Sequence, residues 1–273
     1  MIMLNCSTLK KNGIEHRVDF LGDGISSVMR IIANLIITDN NSKPLVIDEP
    51  ELSLHPNAKR RLARLLYDYS LERQIIICTH SPEMIEWEYI LGGAKVNRIV
   101  KNNGKSSIFH LREPAVYDGI FNGKDWQKPH YFGMAAKEIF FEDNILFLEG
   151  QEDMSLLMKD GCLANNVNIF GYGVGSYTMF DTCLTMAKDL GIEKAVALFD
   201  HGNSEQETLE KLKRKHPTYK FFMWNKEDIR DKVDLSTGAI IKEGYFDRHG
   251  NKKSANELDD YNEKITMINE YLK

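Results

Sequence analysis

The sequence has only four cysteines, Cys6, Cys78, Cys162 and Cys183, and no two of them form a CxxC pair. None sits near a histidine at zinc spacing. That excludes a zinc cluster and a disulfide-stapled secreted scaffold, and implies free thiols in a reducing cytosol. Long apolar runs are also missing. The longest, around IIANLII, is interrupted by polar residues and falls short of the roughly 18–20 residues of a membrane span. With no signal-peptide pattern, the expectation is a cytoplasmic chain with no membrane partner. A surplus of positive charge is absent too. The net charge is −5, so any nucleic-acid contact must come from local patches. What is present is ordinary globular composition, 42% hydrophobic and 27% charged over 273 residues. That is enough for one large domain or two smaller ones.

Apolar periodicity gives the element order. After LGDG (21–24), Ile25, Val28, Ile31, Ile32 and Leu35 recur at helical steps and predict a helix behind the glycines. PLVID predicts a strand, HPNAKRRLARLLYDYSLE a helix opened by Pro56, and QIIICTH a second strand. Both strands are apolar throughout and are expected to be buried. NRIVKNNGKSSIFHL predicts a hairpin turning at NNGK. Residues 112–135, rich in Gly, Pro, Asn and aromatics, read as a linker, with Trp126 and Tyr131 placed to pack domains together. Beyond it, NILFLEG, VNIFGYG, KAVALFD and YKFFMWN predict strands alternating with helices, the pattern of a parallel sheet. The expected organisation is α/β throughout, with domains at 1–111 and 136–273.

The first chemical constellation is PLVIDEPELSLHP (44–56) with IIICTHSP (75–82). Strand ends of parallel sheets face ligands at one edge. Adjacent acids there, Asp48 and Glu49, suit one Mg²⁺ contact and one water-orienting base, and His80 ends the neighbouring strand. A phosphate loop should read GxxxxGK followed by Ser or Thr, and the sequence contains none. The nearest string, NGKS (103–106), lies in the hairpin turn.

Together these motifs resemble the C-terminal half of ABC-type ATPases of the overcoming-lysogenization-defect (OLD) group and related defence proteins. The resemblance implies Asp48 as the Walker B aspartate, Glu49 as catalytic base, His80 as switch histidine and SLHP (53–56) as the D-loop. His55 then stands where transporters have aspartate. LGDG would be the signature motif, with Gly22 and Gly24 at the helix N-terminus offering backbone N–H groups to ATP held by an opposite subunit. Gly22 stands where the common signature has serine, so any hydroxyl contact passes to Ser26 or Ser27. The phosphate-loop half is expected from a missing N-terminal part or from another polypeptide, and ATP binding only with it.

The second constellation is FFEDNILFLEGQED, with Glu149 at a strand end and Asp153 one turn into the next helix. Paired carboxylates so placed suit a hard divalent cation. The phrase resembles the TOPRIM entrance of OLD-family nucleases. The resemblance implies Mg²⁺ (or Mn²⁺) held by Glu149, Asp153 and Asp200, with Glu149 also catalytic. The family's second acidic motif is DxD. Here LFDHGN supplies Asp200 but puts Gly202 at the second acid, leaving His201 or Asn203 as weak substitutes. A third acid follows the next strand, where Glu227, Asp228 and Asp231 are open alternatives. Isolated acids at these places would simply cap helices.

GYGVGS (171–176) has the context of a phosphate loop, although a structural glycine turn is the reading the resemblance favours. NAKRRLAR (57–64) and KLKRKH (211–216) are the basic clusters, read as solvated helix faces, the second within reach of phosphates. His110, His130, His216 and His249 lack partners at ligand spacing. Leu258, Tyr261, Ile265, Ile268 and Leu272 give the tail a helical stripe, for capping or for protein contact. The resemblance implies an ATPase-linked, metal-dependent DNA endonuclease or nickase in phage defence, acting as a homodimer or with a partner chain. The alternative is a degenerate, non-catalytic regulatory or scaffold subunit.

Overall fold

The computed structural model describes residues 8–11, 14–17, 22–37, 43–117 and 135–273. They group into two compact units that divide between Tyr89 and Ile90. Cys6, Leu21, Trp126, His130 and Tyr131 lie outside the described residues, as does most of the expected linker.

In the first unit β1 (Thr8–Lys11) and β2 (Ile14–Arg17) pair antiparallel. Helix α1 (Asp23–Ile37) starts directly after Gly22, whose carbonyl accepts from the N–H groups of Ile25 and Ser26 at 2.9 and 3.2 Å. Next come β3 (Leu45–Asp48), α2 (Pro56–Ser70) and β4 (Ile75–Cys78), a βαβ unit in which β3 and β4 run parallel, Leu45 opposite Ile75 and Asp48 opposite Cys78. Leu45, Ile47, Ile75 and Ile77 pack into one cluster with Ile31, Leu35, Leu62, Ala63 and Leu66.

The opposite face is open. Val46 is 63% exposed and Ile76 44%, and Asp48 and Cys78 share that face. The expectation of two buried strands is therefore corrected: each buries alternate residues only. Parallel sheets are ordinarily covered on both faces, and here helices pack on one. A short helix, α3 (Trp87–Leu91), follows.

In the second unit β5 (Asn97–Asn102) and β6 (Lys105–His110) form the expected hairpin. Asn103 and Gly104 both have positive φ, 50° and 79°, as a type I′ turn requires. The buried Arg98 guanidinium donates to the carbonyls of Leu190 and Glu142 at 3.0 and 2.8 Å and pairs with Asp143. Arg112 and the buried Tyr117 both reach the Asp189 carboxylate, at 2.7 and 2.8 Å. These bonds place the hairpin and residues 112–117 in the second unit. The chain thus divides near residue 90, earlier than the expected boundary at 111.

The sheet of this unit is β7 (Asn144–Leu148), β8 (Lys194–Phe199) and β9 (Lys220–Met223), parallel and in that order. Residues 168–170 run along the other side of β7, where Leu146 bonds Asn168 at 2.7 Å and Phe170 bonds Leu146 at 3.0 Å. Helices α4 (Gln151–Asp160), α5 (Phe180–Asp189) and α6 (Asn203–Lys215) alternate with the strands as predicted. A small antiparallel pair, β10 (Lys232–Val233) and β11 (Ile240–Lys242), follows. Helix α7 (Asp259–Leu272) buries Tyr261, Ile265, Ile268 and Leu272 in one cluster with Leu146, Leu148, Val196 and Leu198. The tail stripe is core.

Candidate functional sites

Glu149 follows β7 and Asp200 follows β8. Because Leu148 lies opposite Leu198, the two carboxylates leave the sheet at the same edge. The Asp200 backbone N–H donates to Glu149 Oε2 at 3.4 Å, which holds the Glu149 carboxylate at the end of β8. Asp153, the third residue of α4, is 5% exposed, and its Oδ2 accepts from the Gly150 N–H at 3.0 Å. It caps its own helix and lies beside the other acids.

Burial dominates the electrostatics. It pushes Asp153 up to about 7, with the charges of Asp228 and Glu149 adding to the effect and the Gly150 N–H opposing it. Burial, then Asp153, Glu149 and Asp228, pushes Asp200 up to about 8. Glu149 is also raised, first by burial, while the N–H groups of Asp200 and Tyr177 hold it down.

Among the three alternatives for the third acid, the geometry favours Asp228. Its charge acts on both Asp153 and Asp200, and its Oδ1 accepts from the Arg230 N–H at 3.3 Å. Asp231 is buried elsewhere, accepting from the Gly244 N–H at 2.8 Å and Lys253 at 2.7 Å, a structural pairing. Glu227 is exposed. His201 turns to the Trp224 carbonyl at 3.2 Å, and Asn203 is exposed at the start of α6. Basic groups that sequence reading missed complete the site. Lys242 lowers both Glu149 and Asp200, while Arg230 and Lys232 pair with Glu152. No motif marks them, because chain folding after β9 brings them in.

An all-carboxylate donor set suits a hard divalent cation rather than a thiophilic metal. Among the described residues no group of three or more histidine, cysteine, aspartate or glutamate side chains is placed to hold a metal ion.

GYGVGS buttresses this edge. Val174 and Gly175 N–H groups bond the carbonyls of Leu148 and Glu149 at 2.8 and 2.9 Å. Gly173, at φ 94°, lies so close to Gly150 that an added Cβ would sit 2.7 Å from its carbonyl carbon. Gly173→Ala is expected to cost about 2 kcal/mol or more in a urea melt, and Gly175→Ala, also at positive φ but facing open space, about 1 kcal/mol. Equal costs would refute the contact with Gly150 as the reason for Gly173.

In the first unit Glu49 has φ 45°, a conformation uncommon for a side-chain-bearing residue, and its N–H bonds the Cys78 carbonyl at 2.9 Å. The turn brings its carboxylate within 3.9 Å of His80 Nε2, so the base and the switch histidine of the resemblance do meet. His80 is largely exposed, its side chain 86% accessible. Glu51, which sequence reading passed over, is 6% exposed and accepts from the Thr79 hydroxyl at 2.5 Å and the His80 N–H at 3.1 Å. It ties the Glu49 turn to the His80 loop. Glu49, Glu51, Ser53, Lys59 and His80 line an open depression of about 420 Å³.

Gly22 and Gly24 differ. Gly22 faces open space, whereas Cβ on Gly24 would meet the Ser53 carbonyl oxygen at 2.5 Å, so Gly24 lets α1 pack on the turn at Ser53. His55 caps α2, its Nδ1 accepting from the Asn57 N–H at 3.3 Å. Of the basic clusters, Arg64 pairs with Asp68, Lys213 with Glu210 and Lys215 with Asp181. His216 is buried against Asp181 at 3.0 Å.

Residues 8–85 match the family model of the AAA ATPase domain. The first unit is thus similar to an AAA ATPase domain over these residues, and the match ends before the second unit begins. No curated protein matches the chain. A solved chain from a study of ATP-driven dimerization and DNA-stimulated activation of SMC ATPases is 17% identical, with a TM-score of 0.32. The alignment covers 38% of this chain and 62% of that one, so this chain spans less than two thirds of its relative's length. No helix among the described residues is long and apolar enough to cross a membrane.

Proposed function

We propose that the chain is part of an ATPase-linked, divalent-metal-dependent DNA endonuclease or nickase of OLD type acting in phage defence, with its own chemistry in a TOPRIM-like second unit. The observation that carries this reading is the placement of Glu149 and Asp200 at one edge of a parallel sheet, with buried Asp153 and partly buried Asp228 near enough to act on them. Glu149, Asp153 and Asp200 would hold Mg²⁺ or Mn²⁺. The ion, when bound, supplies charge to activate water and to stabilise the leaving oxygen. Glu149, whose proton affinity is raised by burial, takes the proton of the attacking water as oxygen bonds to phosphorus. The P–O bond on the opposite side breaks, and the leaving oxygen takes a proton from solvent. Lys242 offers positive charge to the phosphate. Supercoiled plasmid with Mn²⁺ tests this. The expected result is nicking that a chelator abolishes, and chelator-independent background alone would refute the reading.

In the first unit Asp48, Glu49 and His80 supply the water-activating side of an ATP site, while the phosphate loop belongs to another segment or chain. The open apolar face with Val46 and Ile76 is the surface such a half would cover. ATP hydrolysis is therefore expected only in that company. Hydrolysis by this chain alone that is lost on Glu49→Ala would overturn the point. The second reading, a non-catalytic subunit, is favoured by one observation, the glycine at position 202 where an acid belongs.

A further inference from the structure

Residues 235–243 are exposed without interruption. They form the turn and the return strand of the β10–β11 pair. Three of them are large and apolar: Leu235 is 97% exposed, Ile240 57% and Ile241 63%. Successive residues of a strand point to opposite faces. Ile240 and Ile241 are both bare, so neither face of β11 packs on the unit. The pair is an arm that stands clear of the sheet.

The arm is held in shape by its own bonds. The Asp234 N–H donates to the Ala239 carbonyl at 2.9 Å, and the Gly238 N–H to the Asp234 carbonyl at 2.7 Å. The Asp234 carboxylate accepts from the N–H groups of Ser236 and Thr237 at 2.7 and 3.2 Å. At the root, Lys232 lies opposite Lys242. Lys232 pairs with Glu152, as does Arg230. Glu152 precedes Asp153 in the first turn of α4, which follows β7. The arm is therefore fastened at the edge where Glu149 and Asp200 leave the sheet.

The chemistry of the arm indicates what it fits. Its acids are engaged: Asp234 holds the turn, and Glu243 pairs with Lys226 at 2.7 Å. Lys242 is exposed and forms no ion pair among the described residues. An apolar protein pocket would leave this cation unanswered beside the isoleucines. A nucleic-acid duplex answers both features. Its phosphates take the lysine, while apolar side chains wedge against base steps in the groove.

We propose that the β10–β11 arm is a duplex-DNA contact, with Lys242 on the phosphate backbone and Leu235, at the tip, set into the groove. This rests on the DNA-directed reading of the preceding section. It gives that reading a hold on its substrate, which a net charge of −5 leaves to local features.

Anisotropy of a labelled short duplex, in chelator so that neither metal nor cleavage contributes, tests the arm. The wild-type chain is expected to bind with an affinity that falls as salt rises. Lys242→Gln should lower the slope of log affinity against log salt by about one. Leu235→Ser should weaken binding about tenfold with the slope unchanged. Both residues are exposed, so melting temperatures should stay in place. Leu235→Ser binding as tightly as wild type, or a Lys242→Gln slope like that of wild type, would overturn the inference. So would a wild-type chain that binds no duplex. A dimer in light scattering that Leu235→Ser turns to monomer would assign the arm to a second copy and overturn it too. Plasmid nicking by the same proteins in Mn²⁺ keeps the two readings apart. Nicking with no effect of Leu235→Ser on binding fails the arm alone, and arm-dependent binding without nicking fails the nuclease alone.

Discussion

Glu149→Gln is expected to lower metal-dependent nicking about 10²–10⁴-fold while changing the melting temperature little. Glutamine keeps the volume of the side chain, and its carbonyl oxygen can still accept the Asp200 N–H that Glu149 Oε2 receives at 3.4 Å. Two properties go. The negative charge that would hold the cation is removed, and so is the oxygen that would take a proton from water. Neighbouring acids separate chemistry from support. Asp228→Asn should reduce nicking with modest effect on stability, since Asp228 faces Asp153 and Asp200. Asp231→Asn should do the reverse, because Asp231 holds the Gly244 N–H and Lys253 in a buried pairing. Glu227→Gln, at an exposed residue, should change neither. Nicking that survives Glu149→Gln undiminished would remove this site as its source.

These contrasts mark what was legible in the sequence. Strand ends are written locally, by an apolar run that stops at a charged residue, so Asp48, Glu149 and Asp200 fell where expected. The turn at Asn103–Gly104 was legible for the same reason, since only certain residues accept positive φ there. Burial was not. An apolar run of four reads alike whether one face or both are covered, and the open face with Val46 and Ile76 depends on what packs above it. The chain division was misplaced because Arg98 looks like any strand arginine until it reaches the Leu190 and Glu142 carbonyls. Which of Glu227, Asp228 and Asp231 faces the site turns on the path of the chain after β9. Glu51 was missed because it sits beside recognised motif residues, and only side-chain direction tells a solvated acid from one that bonds Thr79 and the His80 N–H.

Without metal, the chain is expected to lose stability as pH rises from 5 to 8. Asp153 and Asp200 hold protons in the folded state up to about 7 and about 8, far above the ordinary aspartate value of 3.8. The folded protein thus binds more protons than the unfolded chain through this interval. Their contribution is full below pH 4 and is lost as pH climbs through 7 and 8. The expected loss is a downward shift of the melting temperature by several degrees across the interval. Carboxylates with lowered values, such as Asp160 and Asp181, act oppositely but titrate below this window. Mn²⁺ at a hundredfold excess over its dissociation constant should return about 2.7 kcal/mol at pH 8 and much less at pH 5, where protons compete for the same oxygens. Asp200→Asn should flatten the metal-free profile, raise stability at pH 8 and abolish most of the Mn²⁺ effect. Thermal midpoints in chelator and in Mn²⁺ across this range are the measurement. A metal-free stability that rises toward pH 8 would mean that Asp153 and Asp200 do not keep their protons in the folded chain.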